Sequence, residues 1–155
     1  MKKLTFKVNN RFWFFLFTLK KLPSLWFWGI RVIQCNEKSC SIKIGYSWFT
    51  KNPFKSIYFS ALSGAGELST GLLVQNKVNE VGHTSMLVIK AESYFLKKAT
   101  GNILFTCEEG DKVNDAFQSL RKSGDSLYLV LHSKGYNEDG VEVANFSFTW
   151  ALKKR

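Results

Sequence analysis

Acidic residues are almost missing from the first third of the sequence: residues 1–55 hold Glu37 alone against eleven Lys and Arg. Residues 56–155 hold eleven of each sign, so the net charge of +10 belongs to the N-terminal third. That bias fits either a solvated basic surface or an anionic partner such as a phosphorylated ligand, a lipid surface or nucleic acid. Prolines number two and hydrophobic residues make up 45%, which excludes a disordered chain. Cys35, Cys40 and Cys107 form no CxxC pair, and the two histidines lie far apart, so there is no zinc signature and no metal site is expected. An odd number of thiols fits a reducing compartment, and the cytoplasm is expected. Long apolar runs are missing too. Phe12–Leu19 is broken off by Lys20, Lys21 and Pro23, well short of the roughly 20 residues of a membrane span. No small-residue cleavage site follows it, which argues against a secretory signal.

Aromatic residues are what the chain has in excess, with 14 Phe and five Trp among 155 residues. A single domain of this length buries a proper core but cannot easily hide so much large apolar surface. Oligomerisation, a lipid-like ligand or a membrane surface would each use it.

The local signals order the elements. Asn9 or Asn10 caps a helix running to about Lys21, and a short helical piece, Pro23–Trp28, follows, making an aromatic-rich N-terminal segment over about residues 9–28. Ile30, Val32 and Ile42, Ile44, Tyr46 alternate with polar residues around the turn "NEKS", predicting a hairpin. A long helix then starts at Asn52-Pro53, with Ser56 as an alternative cap. Strands are predicted over Thr84–Lys97 and from Gly101, a short surface helix closes on Gly124, and two strands flank the turn "NEDG". The sum is a single α+β domain spanning residues 1–155, an antiparallel sheet wrapped on one long helix.

From Ser56 to Asn76 the only charged side chain is Glu67. On a helical projection it shares an arc with Ser60, Ser63, Gly64, Thr70, Gly71 and Val74, while Ile57, Tyr58, Ala61, Leu62, Ala65, Leu68, Leu72 and Leu73 form the apolar face. Small residues let a backbone or a ligand come close. A carboxylate buried there without partners is costly or rises in pKa until it is neutral, which makes a general-base candidate. The alternative is a structural Glu paired with a Lys or with backbone N–H groups at a subunit contact.

These segments resemble the hotdog-fold acyl-CoA thioesterases, over roughly Arg11 to Trp150, and in particular a branch usually catalogued as a domain of unknown function. In the phenylacetyl-CoA-type enzymes a pattern opens on Asn, passes through His-Gly-Gly and reaches Asp or Glu fifteen residues after the Asn. Here Asn52 and Glu67 have that spacing, and "GAGELSTG" is similar to the motif's end. Phe95-Leu96-Lys97-Lys98-Ala99-Thr100-Gly101 is similar to a second pattern, one residue shorter and with Lys98 where the family has Pro. At the His-Gly-Gly positions the chain has Tyr58-Phe59-Ser60, whose side chains narrow the approach of a thioester carbonyl to helix N–H groups.

The resemblance implies a hotdog thioesterase acting on an acyl-CoA or acyl-carrier thioester, with no cofactor beyond that substrate. Glu67 is then the general base or nucleophile, Asn52 orients the water or carbonyl, and Tyr58, Phe59, Ser60, Ser63 and Gly64 form the oxyanion and acyl site. Tyr58 either donates a hydrogen bond through its hydroxyl or is a core aromatic. Lys97, Lys98, Lys51 and Lys55 are candidates for the coenzyme A phosphates. The resemblance also implies a homo-oligomer, a dimer or a dimer of dimers, with sites between subunits. A non-catalytic acyl-binding hotdog is the alternative. His83 and His132 read as a loop-end and a strand-face residue, and Cys107 as core. The basic, aromatic N-terminal helix allows peripheral membrane contact. Nucleic acid is not an expected partner, because Trp13, Phe14, Phe15 and Phe17 are packed in one run rather than interleaved with basic residues.

Overall fold

The computed structural model describes residues 9–155, with the backbone alone at Arg11, so the basic residues Lys2, Lys3 and Lys7 lie outside the described residues. Among the described residues two helices, α1 (Arg11–Lys21) and α2 (Pro23–Phe27), precede the hairpin β1 (Arg31–Cys35) and β2 (Cys40–Gly45). The long helix α3 (Phe59–Val81) follows, then β3 (Thr84–Phe95), β4 (Asn102–Cys107), α4 (Gly110–Ser119), β5 (Ser126–Tyr136) and β6 (Glu142–Lys154). The strands form one six-stranded sheet in the order β1-β2-β4-β5-β6-β3, and every pairing is antiparallel.

Period-2 alternation decides which face of each strand is buried. Paired residues share a face, so the register pairs Ile42 with Phe105, Leu131 with Phe148 and Leu129 with Trp150 on the inner face. All six are buried there. Helix α3 lies against that face, burying Ala61, Ala65, Leu68 and Leu72 among its residues. A sheet rolled around one long helix is the hotdog arrangement, as expected from the sequence.

Three boundaries differ from the sequence reading. Helix α3 does not start at Asn52-Pro53 or at Ser56; its cap position is Tyr58. The Asn52 side chain makes a turn of its own: Oδ1 accepts from the N–H groups of Phe54 (2.9 Å) and Ser56 (3.2 Å), and Nδ2 donates to Ser56 Oγ at 3.0 Å. An Asn followed by Pro signals such a turn as readily as a helix cap. Ile57 then ties to Ala99 and Tyr58 to Thr50 by backbone hydrogen bonds before the helix begins. Strand β3 stops at Phe95, not Lys97, because the N–H groups of Leu96 and Lys97 both turn to the Val143 carbonyl. Helix α4 ends at Ser119, not Gly124: the Asp125 carboxylate accepts from the N–H groups of Arg121 and Lys122 at 2.8 and 2.7 Å and folds the intervening residues into a turn. Nor is α4 purely a surface helix, since it buries Val113 and Phe117.

The N-terminal segment is held at a few points. Asn10 caps α1 through hydrogen bonds from the N–H groups of Phe12 and Trp13. Asn9 clasps Cys35 with two bonds, donating to its carbonyl and accepting from its N–H, each 2.9 Å. Phe14, Thr18 and Leu25 are buried, while most other apolar side chains of α1 and α2 stay exposed.

Candidate functional site

Glu67 lies mid-helix on α3, more than half buried. Glycine one turn on makes its place. A Cβ on Gly71 would sit 3.0 Å from Glu67 Oε1 and 3.1 Å from the Trp150 ring, so the missing side chain lets the carboxylate fold back beside the indole. Trp150 Nε1 donates to Thr70 Oγ1 at 3.2 Å, which leaves its hydrogen bond on the helix rather than on Glu67. Among the described residues no hydrogen bond or ion pair reaches the Glu67 carboxylate. Burial without a compensating group pushes its pKa up to about 7. A carboxylate at that value is divided between acid and base forms at neutral pH.

The N-terminus of α3 supplies the opposite polarity. No side chain caps it. Ala61 and Leu62 donate to the Tyr58 carbonyl, and among the described residues the N–H groups of Phe59 and Ser60 meet no acceptor. Such N–H groups, at the positive end of a 23-residue helix, suit a developing oxyanion. Phe59, but not Ser60, belongs to the wall of a groove of about 660 Å³ that also includes Asn52, Phe54, Tyr58, Leu62, Phe95, Leu96, Lys97 and Lys98. Its lining is largely apolar, with two lysines at the end of the segment after β3. Lys98 Nζ also reaches the Phe54 carbonyl at 3.5 Å.

The structure therefore brings together Asn52, Tyr58, Phe59, Lys97 and Lys98, but Glu67 is not in that wall. Eight residues of helix separate Glu67 from Phe59, an axial distance of about 12 Å. Asn52 spends its carboxamide inside its own loop, its second donation going to the Ile57 carbonyl at 3.4 Å. Tyr58 is exposed rather than a core aromatic, its ring edge-on to Phe59, and Phe59 in turn meets Phe95. Ser63 Oγ donates back to the Phe59 carbonyl at 2.9 Å. Gly64 is filled by the chain itself: a Cβ there would lie 2.9 Å from the Trp28 ring, so it admits α2's end rather than a ligand. Lys51 sits with Nζ 3.2 Å from the Trp48 ring centroid, a cation–π contact, and Lys55 takes a left-handed turn conformation, φ 58. Neither lines the groove.

His132 pairs with Glu109 across 3.1 Å on the outer face of the sheet, remote from α3, and His83 follows the end of α3. Cys107 is fully buried, and burial raises its thiol pKa to about 12. Cys35, Cys40 and Cys107 are neighbours across β1, β2 and β4, and none is in a disulfide. Trp150 is the site residue that sequence reasoning missed. The alternation Phe146, Phe148, Trp150 marks it as inward-facing, but nothing local to it points at Glu67. Among the described residues, no helix is long and apolar enough to cross a membrane.

Residues 12–152 match the model of a family described as a domain of unknown function (DUF4442). No curated protein matches the sequence. Solved structures resemble the fold. A Pseudomonas aeruginosa protein of unknown function, described as a probable thioesterase, is 18% identical with a TM-score of 0.79, over 90% of this chain and 92% of its own. A Haemophilus influenzae thioesterase is 12% identical with a TM-score of 0.69, over 90% and 88%. A Staphylococcus aureus protein, called a thioesterase enzyme in one of its structures, is 17% identical with a TM-score of 0.65, over 83% and 96%. It was solved with one glutamate changed to alanine and, separately, with a glutamine fifteen residues earlier so changed.

Proposed function

We propose, from the premise that the chain belongs to the DUF4442 family and has the hotdog fold, that it hydrolyses an acyl thioester of coenzyme A or of an acyl carrier protein. The observation behind this reading is the Glu67 carboxylate, largely buried, without a partner among the described residues and with its pKa raised to about 7. A carboxylate whose pKa is raised to near the working pH is suited to take and give back a proton. The spacing of Asn52 and Glu67 equals that of the two residues altered in the S. aureus thioesterase, which supports the same assignment.

In this reading the acyl chain lies along the groove at Phe59 and Phe95, and Lys97 and Lys98 meet the phosphates of the carrier. The thioester carbonyl oxygen accepts from the N–H groups of Phe59 and Ser60. Glu67 takes a proton from water as the water oxygen bonds to the carbonyl carbon. Collapse of the tetrahedral oxyanion breaks the C–S bond, and the proton held on Glu67 leaves with the thiolate as thiol. Because about 12 Å of helix separates the two ends of this machinery, one copy cannot apply both to one carbonyl. The reaction uses the N–H groups of one copy and Glu67 of a second. β3 is an edge strand, twelve residues long and largely exposed, which is the natural place for two sheets to join. Asn52 acts through the loop it shapes. Three free thiols suit a reducing compartment, and we place the protein in the cytoplasm.

The test is thiol release from short-, medium- and long-chain acyl-CoAs, comparing wild type with Glu67→Ala. Loss of about 10²–10⁴ in rate is expected for the variant. No turnover on any chain, or equal rates in both proteins, overturns the proposal in favour of an acyl-binding hotdog. The side chain of Phe59, crowded between Tyr58 and Phe95, is the feature that favours that second reading.

A further inference from the structure

We infer that the face built from α1, α2 and the loop after β2 docks on an anionic lipid bilayer. Helix α1 is apolar almost all round, yet among its described side chains only Phe14 and Thr18 are buried. Phe12, Phe15, Phe17, Leu19, Leu22 and Phe27 keep between 39 and 65% of their surface in solvent. Phe15 and Phe27 among them belong to one run of touching rings. Phe15 meets Trp26, Trp26 meets Phe27, and Phe27 meets Phe49 of the loop, at ring-centroid distances of 5.6, 4.9 and 5.9 Å. Three separate segments thus build one continuous aromatic strip, and beside it Trp48 is 76% exposed. A contiguous exposed strip of this kind marks an interaction surface rather than ordinary surface scatter.

Charge decides the occupant. Lys20 and Lys21 end α1, and Lys51 lies over Trp48. A cleft of about 280 Å³ on this side, between α1, α2 and β1, is lined by Phe14, Phe15, Trp26 and Arg31 among others. The one acid in residues 9–66, Glu37, sits in the turn at the opposite end of β1, against α4. A second copy of the chain would bring the same lysines with no acid to answer them. A bilayer interface takes Trp and Phe at the headgroup level, and its anionic lipids meet the lysines. At 11 residues α1 is about 16 Å long, half the hydrocarbon thickness, so it lies along the surface. The inference stands apart from the thioesterase reading and holds whether or not the groove is catalytic.

Flotation of the full chain with vesicles tests it. Wild type is expected to float with phosphatidylcholine vesicles containing phosphatidylglycerol and far less with phosphatidylcholine alone. A lysine near an anionic surface contributes about fivefold to partitioning, so Lys20→Glu/Lys21→Glu is expected to lose at least roughly 25-fold. Phe27→Ser/Trp48→Ser is expected to abolish flotation while keeping the wild-type thermal melt. Should that variant fail to fold, quenching of wild-type tryptophan fluorescence by brominated lipid gives the same answer, and strong quenching is expected. The inference falls if wild type does not float with anionic vesicles, if both variants float as wild type does, or if brominated lipid leaves the fluorescence unchanged. It falls equally if the strip proves to join two copies, seen as a dimer that Phe27→Ser/Trp48→Ser converts to monomer without any vesicle binding.

Discussion

Replacing Glu67 with glutamine is expected to make the protein more stable at pH 8 and to leave it nearly unchanged at pH 5. In the folded chain the carboxyl titrates near 7 instead of the ordinary 4.5, for want of any compensating group. Between those values the folded state holds a proton that the unfolded state has lost, so stability is complete below about pH 4.5 and falls as pH rises through 7. A displacement of about 2.5 units is worth about 3 kcal/mol once both states are ionised. That is a large share of a typical total of roughly 5–15 kcal/mol. Glutamine has the same shape and never ionises, so it escapes the penalty. At pH 8 the variant should gain about 3 kcal/mol, which for a chain of this length is about 6–12 °C in Tm; at pH 5 the gain should be under about 1 kcal/mol. Thermal melts followed by circular dichroism at the two pH values measure both. A variant that is no more stable at pH 8, or a gap of equal size at both, refutes the reasoning. It would mean that the Glu67 carboxylate meets a neutralising group in the assembled protein.

Two further outcomes follow from the same geometry. If Glu67 acts as the base, kcat/KM for acyl-CoA rises with pH along a limb centred near 7 and flattens above it, because only the ionised form accepts a proton. A flat profile between pH 5 and 8, measured by thiol release, would remove Glu67 from the proton-transfer step. Gly110→Ala is expected to destabilise the fold by about 1–3 kcal/mol, read as a lower urea midpoint, since the added Cβ would clash with the Glu37 carbonyl oxygen and Lys38 Cα. Both are backbone atoms that cannot swing aside, so a variant with the wild-type midpoint would show that α4 and the β1–β2 turn are not packed as described.

The fold was legible where local chemistry and the global arrangement agree. The "NEDG" turn joins β5 to β6 as read, Asn10 caps α1, and the uncharged stretch around Glu67 is the helix inside the sheet. The start of α3 was not legible, because Asn52 followed by Pro53 satisfies a loop turn as well as a helix cap, and only the ties of Ile57 to Ala99 and Tyr58 to Thr50 decide between them. The small-residue arc was visible, but what fills it was not. Gly64 is taken by Trp28 and Gly71 is shared by Glu67 and Trp150, and these partners come from other elements. The row Cys35, Cys40 and Cys107 likewise exists only through strand register, which spacing along the chain does not reveal.

Glu67 itself was identified from an absence, the lack of any other charge between Ser56 and Asn76, and that absence explains its chemistry. A lysine within a turn on either side would have paired with it and held its pKa low. Among the described residues the neighbouring elements bring none either: beside it are a glycine, a threonine and an indole whose N–H is already committed to Thr70. Positive electrostatic character sits instead at the end of α3, at the uncapped N–H groups near Phe59 and at Lys97 and Lys98. On the proposed reading, base and oxyanion site are held about 12 Å apart on one helix, which keeps the carboxylate from being neutralised by that N-terminus. An antiparallel pairing of two copies through the exposed β3 edge would bring the two helix ends past each other and restore the short distance between copies without quenching Glu67 within one. On the proposed reading, Glu67 has no partner among the described residues and meets one only when a second copy and a substrate arrive together.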